Sequence, residues 1–270
     1  MNEYCGQPNG RIIAVVTGAS SGIGRDFARL LADGSARSAV DTPEEIWLIA
    51  RREDRLETLA KELPIPARLI PLDLAAPDGV LRYEQMLRIE NPRVRCLVNA
   101  AGYGRFAHTL DVPAETLLGM IDLNDRALTA MCVASLPYMD KGAAIVNIGS
   151  LSSFQPVPYI NVYGASKAYV LSFSRTLNVE LKSRGVRVIC VCPGWVRTDF
   201  LDQAATDKNA VTYFNKLWEP RDVAARAFAD LAKGKDVSIL GFMVRAQVFL
   251  TKMLPHSLVM KIWMHQQGHT

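Results

Sequence analysis

The stretch Thr17-Gly18-Ala19-Ser20-Ser21-Gly22-Ile23-Gly24 decides how the rest of the chain is read. It follows the β-branched run Ile12-Ile13-Ala14-Val15-Val16, which suits a buried strand, and it opens a helical pattern. Glycines at a strand-to-helix turn let the backbone bend sharply and approach a pyrophosphate, whose charge is favoured by the N–H groups at the helix start. The spacing is G-x-x-x-G-x-G rather than the commoner G-x-G-x-x-G. A glycine-rich turn also serves purely structural ends. Its place between strand and helix is what points to a dinucleotide.

Outward from this loop, short apolar runs alternate with longer amphipathic stretches, the pattern of βαβ units. Strands are predicted at 11–17, 46–50, 67–72, 95–99, 143–149, 186–192 and 237–240, and helices fill the gaps, as at 54–63, 115–134, 163–182 and 221–233. No repeat or Gly/Pro/Ser-rich linker divides the 270 residues. The expectation is an α/β fold: one doubly wound Rossmann domain with a seven-stranded, mainly parallel sheet, ligands lying at the carboxyl ends of the strands. Residues 1–241 form the nucleotide-binding and catalytic part and 242–270 a C-terminal helical extension of the same domain. Residues 33–45, longer than such a connection needs, read as a surface insertion.

Composition removes several function classes. The apolar fraction is 49% and the charged fraction 21%, ample for a packed core, and the net charge of +4 is spread without a basic block, so nucleic acid is not the expected partner. Met1 to Gly10 lacks a basic region followed by an apolar run, so a cytoplasmic location is expected. Five cysteines, with Cys190 and Cys192 on one face of a strand, argue against disulfides and a metal site. His265 and His269 lack acidic or thiol companions, and a loose C-terminal end is the simplest reading of them.

The second strand ends in Ile49-Ala50-Arg51-Arg52. An NAD site usually supplies a carboxylate here for the adenosine 2′-hydroxyl, whereas a 2′-phosphate calls for a guanidinium. Ala50 stands where the acid is sought and Arg51 follows, which favours NADP(H), with Arg51 ahead of Arg52 as the phosphate ligand. In the middle of the chain, Asn124 and Ser150 precede Tyr163 and Lys167, which lie four apart in a helical run and share one face. An ammonium there is expected to draw the phenol pKa from about 10 toward neutrality, fitting Tyr163 for acid/base work. Separately, such residues are commonplace as surface pairs and caps. Together they are hard to reconcile with chance.

At this point the chain up to about Gly241 resembles the short-chain dehydrogenase/reductase family. TGASSGIG at 17–24, NAAG at 99–102, IDLN at 121–124, Ser150, YGASK at 163–167 and PGWVRT at 193–198 match in order. The resemblance implies that Tyr163 exchanges a proton with the substrate oxygen while Ser150 hydrogen-bonds it. Lys167 then holds the nicotinamide ribose and tunes Tyr163, and Asn124 keeps a water in a proton relay. It also implies cofactor contacts from Gly18, Ser20, Ser21, Gly22, Ile23 and Gly24, from Asp73 and Leu74 beside the adenine, from Asn99, Ala100 and Gly102, and from Pro193, Gly194, Val196 and Thr198 beside the nicotinamide. A homodimer or homotetramer is expected.

The implied chemistry is hydride transfer between nicotinamide and a carbonyl or carbinol carbon of a small molecule. Residues 104–108, 151–159 and 199–218, with Phe106, Phe154, Tyr159, Trp195, Phe200, Tyr213, Phe214 and Trp218, are candidate substrate walls for a hydrophobic ketone, steroid or acyl-chain carbonyl. A non-catalytic NADP(H) sensor has little need of the Ser, Tyr, Lys and Asn set. An isomerase or dehydratase on this scaffold usually carries a larger substrate part. The apolar-basic tail 242–265, broken at Pro255, is too interrupted to span a membrane. Packing at a subunit contact or over the substrate entrance is favoured for it, with membrane-surface docking and plain core as alternatives. Its removal is expected to spare NADPH binding and alter assembly or substrate affinity.

Overall fold

The computed structural model describes residues 10–205, 210–214 and 216–269. Cys5 and part of the expected substrate wall, residues 206–209 and 215, lie outside them. Seven strands form one sheet: β1 (Ile12–Thr17), β2 (Glu45–Ala50), β3 (Ala67–Pro71), β4 (Arg93–Asn99), β5 (Ala144–Ile148), β6 (Arg187–Val191) and β7 (Val237–Ser238). Their order is β3-β2-β1-β4-β5-β6-β7 and every pairing is parallel. The strand order reverses between β1 and β4, the place where an open α/β sheet forms a crevice. Thr17 pairs with Asn99 and Asn99 with Asn147, so β1, β4 and β5 end level at that crevice.

The strands read as near-continuous apolar runs because helices bury both faces. On one face, α1 (Gly22–Ala32), α2 (Glu53–Glu62) and α8 (Pro220–Ala232) contribute Phe27, Leu56 and Phe228 to a core with Leu48 and Val98. The Phe27 and Phe228 rings meet edge-on at 5.2 Å. On the other, α3 (Gly79–Glu90), α5 (Leu128–Ser135) and α6 (Asn161–Glu180) pack Tyr83, Met131 and Val170 against Trp47 and Leu97. Truncating one such ring to alanine costs about 3–5 kcal/mol through lost burial and the cavity left behind.

Three expectations change. The helix read at 115–134 is α4 (Ala114–Ile121), a π-helical turn at Asp122–Ala127, and α5, with Asn124 inside the wider turn. Hydrophobic period does not report such a bulge, which is common at functional sites. Residues 33–45 are not simply a surface insertion, since Ala36, Ala39 and Val40 are buried in the core beside α1. The chain end is not loose: α7 (Asp199–Ala204) and α8 are followed by α9 (Phe242–Met253) and α10 (His256–Gln266), and His269 stacks on Tyr159 at 4.3 Å. Pro255, lacking an N–H, separates α9 from α10 as its chemistry dictates.

Candidate active site

A cavity of about 450 Å³ opens at the carboxyl ends of the strands. Its floor at one end is the glycine loop. Gly18 has φ +66° and Gly22 φ +53°, both in the left-handed region. A Cβ on Gly18 would stand 2.7 Å from Ala100 O, and one on Gly24 would stand 2.5 Å from Gly18 O, so the backbone closes on itself with no room for a side chain. Thr17 Oγ1 accepts from the N–H groups of Ala100 and Ala101, each at 3.0 Å, and locks the β4 exit to the loop.

Arg52 donates through Nη2 to Ser20 Oγ at 3.0 Å and Ser21 Oγ at 2.9 Å. Ser21 is the residue before α1, yet its hydroxyl serves Arg52 and makes no side-chain cap. The first-turn amides of α1 therefore face the cavity end with no carboxylate among them, the donor set that suits a pyrophosphate. Arg51 is three-quarters exposed, with Nη1 4.0 Å from Asp73 Oδ2. Arg55 binds Asp199 at 2.6 Å, and Arg52 lies 3.8 Å from the same carboxylate. Burial and then the charge of Arg55 push the Arg52 pKa down, while the Arg55 hydrogen bond pulls that of Asp199 down. Three guanidiniums share one full carboxylate partner and a distant second, a cluster suited to an anion. Arg55 and Asp199 carry no motif, and only the fold brings them together across 144 positions.

At the β5 end, Ser150, Tyr163 and Lys167 meet in the same cavity. Ser150 Oγ accepts from Ser152 N at 3.2 Å, so it caps the turn, and it lines the same cavity as the Tyr163 phenol. Ser153 is turned away, donating to Lys167 O at 2.7 Å. Lys167 Nζ donates to Ile148 O at 2.8 Å and sits 5.6 Å from the Tyr163 ring centre. Burial pushes Tyr163 up to about 12, the Ser150 hydroxyl opposing it, and burial pushes Lys167 down to about 8. The expected drift of the phenol toward neutrality is thus corrected: loss of water around the phenolate outweighs what stabilises it.

Asn124 is fully buried and does not line the cavity. Its Nδ2 donates to Tyr103 O (3.0 Å) and Ser166 Oγ (3.1 Å), and its Oδ1 accepts from Tyr103 N (3.1 Å). A Cβ on Gly102 would lie 2.9 Å from Asn124 Oδ1 and 3.6 Å from Lys167 Nζ, so glycine permits this approach. Asn99 also misses the cavity: its Nδ2 donates to Asn147 Oδ1 at 2.9 Å and to Cys132 Sγ at 3.2 Å. Strand alternation turns its side chain to the face of the sheet covered by α5. Ile23, Asp73, Leu74, Ala100, Pro193, Gly194, Val196 and Thr198 all line the cavity with the glycine loop and the arginines.

The far wall joins an aromatic cluster to polar residues of the tail. Phe106 packs edge-on to Tyr163, Trp195 and Phe200 at 5.8, 6.1 and 6.1 Å. Tyr213 joins this wall, whereas Phe154, Tyr159, Phe214 and Trp218 do not; Phe154 instead borders a second cavity under α9. Sequence reading missed the individual contributors from the tail. Gln247, Val248, Thr251, Trp263, Gln266 and Gln267 close the wall, and buried Gln267 accepts through Oε1 from Thr212 N (2.8 Å) and Tyr213 N (3.0 Å).

Fold and site together define a Rossmann-type oxidoreductase. The short chain dehydrogenase family model matches residues 12–209, and the chain belongs to this family. It is 38% identical over 207 residues to sulfoacetaldehyde reductase 2 of Chromohalobacter salexigens, covering 72% of this chain and 79% of that protein. Among solved structures it resembles the short-chain dehydrogenase from Sphingobium yanoikuyae in complex with NADPH (TM-score 0.76, 30% identity, 92% of this chain and 94% of the other). It also resembles the bulky-bulky ketone specific alcohol dehydrogenase from Comamonas testosteroni (TM-score 0.69, 26% identity, 89% and 92%).

Proposed function

We propose that the protein is an NADP(H)-dependent carbonyl reductase acting on a hydrophobic ketone or steroid-like substrate. The observation that carries this is the convergence of Ser150, Tyr163 and Lys167 with the glycine loop and the Arg51/Arg52 cluster in one cavity walled by Phe106 and Phe200. The Sphingobium neighbour's complex with NADPH and the ketone named for the Comamonas enzyme support it.

The cradle fits the cofactor: the amides of α1 would hold the pyrophosphate, Arg51 and Arg52 the 2′-phosphate, and Lys167 and Tyr163 the nicotinamide ribose. When bound, NADPH supplies the hydride. Everything else falls to the protein. With its pKa near 12, Tyr163 keeps its proton on Oη at physiological pH and is ready to give it to a substrate oxygen. Ser150 Oγ, fixed by Ser152 N, is the second hydrogen-bonding group for that oxygen as charge grows on it. Lys167, anchored on Ile148 O, has two N–H groups left to orient the ribose and to reprotonate the phenol. Asn124 is a positioning residue that fixes the 103 backbone against α6 and retains one free lone pair on Oδ1 for a water.

The test is NADPH consumption, followed by absorbance, across a panel of bulky ketones and aldehydes, with NADH as the comparison. Turnover with NADPH is expected. Tight NADPH binding with no oxidation by any carbonyl would instead support the non-catalytic sensor.

A further inference from the structure

We propose that the outer face of the α9–α10 pair is a docking surface for an anionic phospholipid membrane. The inner face of α9 is accounted for: Val244, Val248 and Thr251 are buried against the domain. The opposite face is also apolar. Phe242, Phe249 and Met253, spaced seven and four apart, are 75%, 65% and 70% exposed, and Met243 and Leu250 stand beside them. A helix apolar on two opposite faces normally has partners on both, and an exposed run of large side chains on one element marks an interaction surface. On α10, Leu258 and Ile262 are exposed in the same way.

Charge identifies the partner. Residues 242–270 contain Arg245, Lys252 and Lys261 and no aspartate or glutamate. Arg245 and Lys252, seven apart, run along one flank of the apolar face of α9. They overhang a cavity of about 240 Å³ that also holds Arg175, Arg226 and Lys235 against Asp230 and Asp236. Those two carboxylates are already engaged, Asp236 by Arg175 at 2.7 Å and Asp230 by Arg226 at 2.7 Å and Lys235 at 2.8 Å. The flank therefore keeps a positive excess beside the apolar strip, the arrangement with which a basic amphipathic helix lies in an anionic lipid interface. A second copy of the chain is a poorer occupant, because a two-fold contact through this face brings Arg245, Lys252 and Lys261 of both copies together with no carboxylate in the segment to offset them. Among the described residues no helix is long and apolar enough to cross a membrane, so the contact is peripheral.

The experiment uses the full chain with sedimentation of vesicles of phosphatidylglycerol and phosphatidylcholine, and of phosphatidylcholine alone. Mass is followed by light scattering, and fold and NADPH affinity are checked for each variant. The wild type is expected to pellet with anionic vesicles and remain in solution with neutral ones. Phe249→Ser/Met253→Ser changes two exposed side chains outside the cavity wall and should reduce binding by more than about tenfold at about 0.8 kcal/mol per buried methylene. Arg245→Gln/Lys261→Gln should reduce it by about fivefold per charge removed. Failure of the wild type to pellet with anionic vesicles overturns the proposal. So does equal pelleting by the folded serine variant, or a wild-type oligomer that fails to pellet and that the serine variant dissolves, which assigns the face to a second copy.

Discussion

The two ends of the cavity are built on different principles. The cofactor end and Ser150 sit within a few residues of strand ends, with Tyr163 and Lys167 brought to them on α6, and strand register sets the spacing: Thr17, Asn99 and Asn147 lie side by side across β1, β4 and β5. The substrate end is assembled from segments distant in sequence, with Phe106 against Phe200 and Trp195, and Gln267 pinning Thr212 and Tyr213. The sheet-anchored end is dictated by backbone hydrogen bonding that tolerates little change. The other is held by side-chain packing, which can be rebuilt without disturbing the sheet. Substitutions at the two ends should therefore affect different parameters.

The sharpest way to break this comparison is Tyr163→Phe. It removes the phenolic hydroxyl and with it the transferable proton, so turnover should fall by about 10²–10⁴-fold while the fold persists and NADPH affinity falls by no more than about tenfold, the loss of one hydrogen bond. Activity within a few fold of wild type would remove Tyr163 from the chemistry. Next, Arg51→Ala deletes a charge-assisted contact of about 1.5–3 kcal/mol and should weaken NADPH by about one to two powers of ten with NADH nearly unaffected. Equal losses for both cofactors, in a titration followed by fluorescence, would make Arg51 a residue of the fold.

At the other end, Trp263 donates through Nε1 to Pro158 O at 3.2 Å and packs in the aromatic cluster of the far wall. Trp263→Ala should raise KM for a bulky ketone by about threefold to tenfold with the NADPH dissociation constant unchanged. If cofactor affinity falls in parallel, the two ends are not independent.

The smallest effect concerns Lys167, whose folded pKa, near 8, is depressed by burial below its ordinary value near 10.5. Between these values the unfolded chain binds more protons than the folded one, so stability rises with pH, by at most about 1.4 kcal/mol per unit from this group. Thermal melts of the cofactor-free protein from pH 8 to 9.5 should show a few degrees of this gain, absent in Lys167→Met. An identical pH dependence in the two proteins would place the ammonium in contact with water.

What the sequence determined by itself is whatever local period and local sterics control. The glycine loop is legible at 17–24 because glycine adopts φ near +60° without strain and leaves room where the backbone closes, and Tyr163 with Lys167 because a helix puts positions four apart on one face. The seven strands follow from their short apolar or β-branched runs, whereas the helix at 79–90 does not stand out from the gap-filling patterns. Only the tertiary structure decided the rest. Arg52 is held by Ser20 and Ser21, and Arg55 by Asp199, through contacts spanning 31 to 144 positions. Asn99 meets Asn147 across β4 and β5 and Cys132 on α5, and Phe154 packs under α9, with Lys252 over its ring. The Tyr163 phenol rises because its neighbours exclude water, a property of the packed assembly and not of any four-residue spacing. Long-range packing and desolvation leave no periodic mark on a chain, so these features appear only when the sheet brings its ends together.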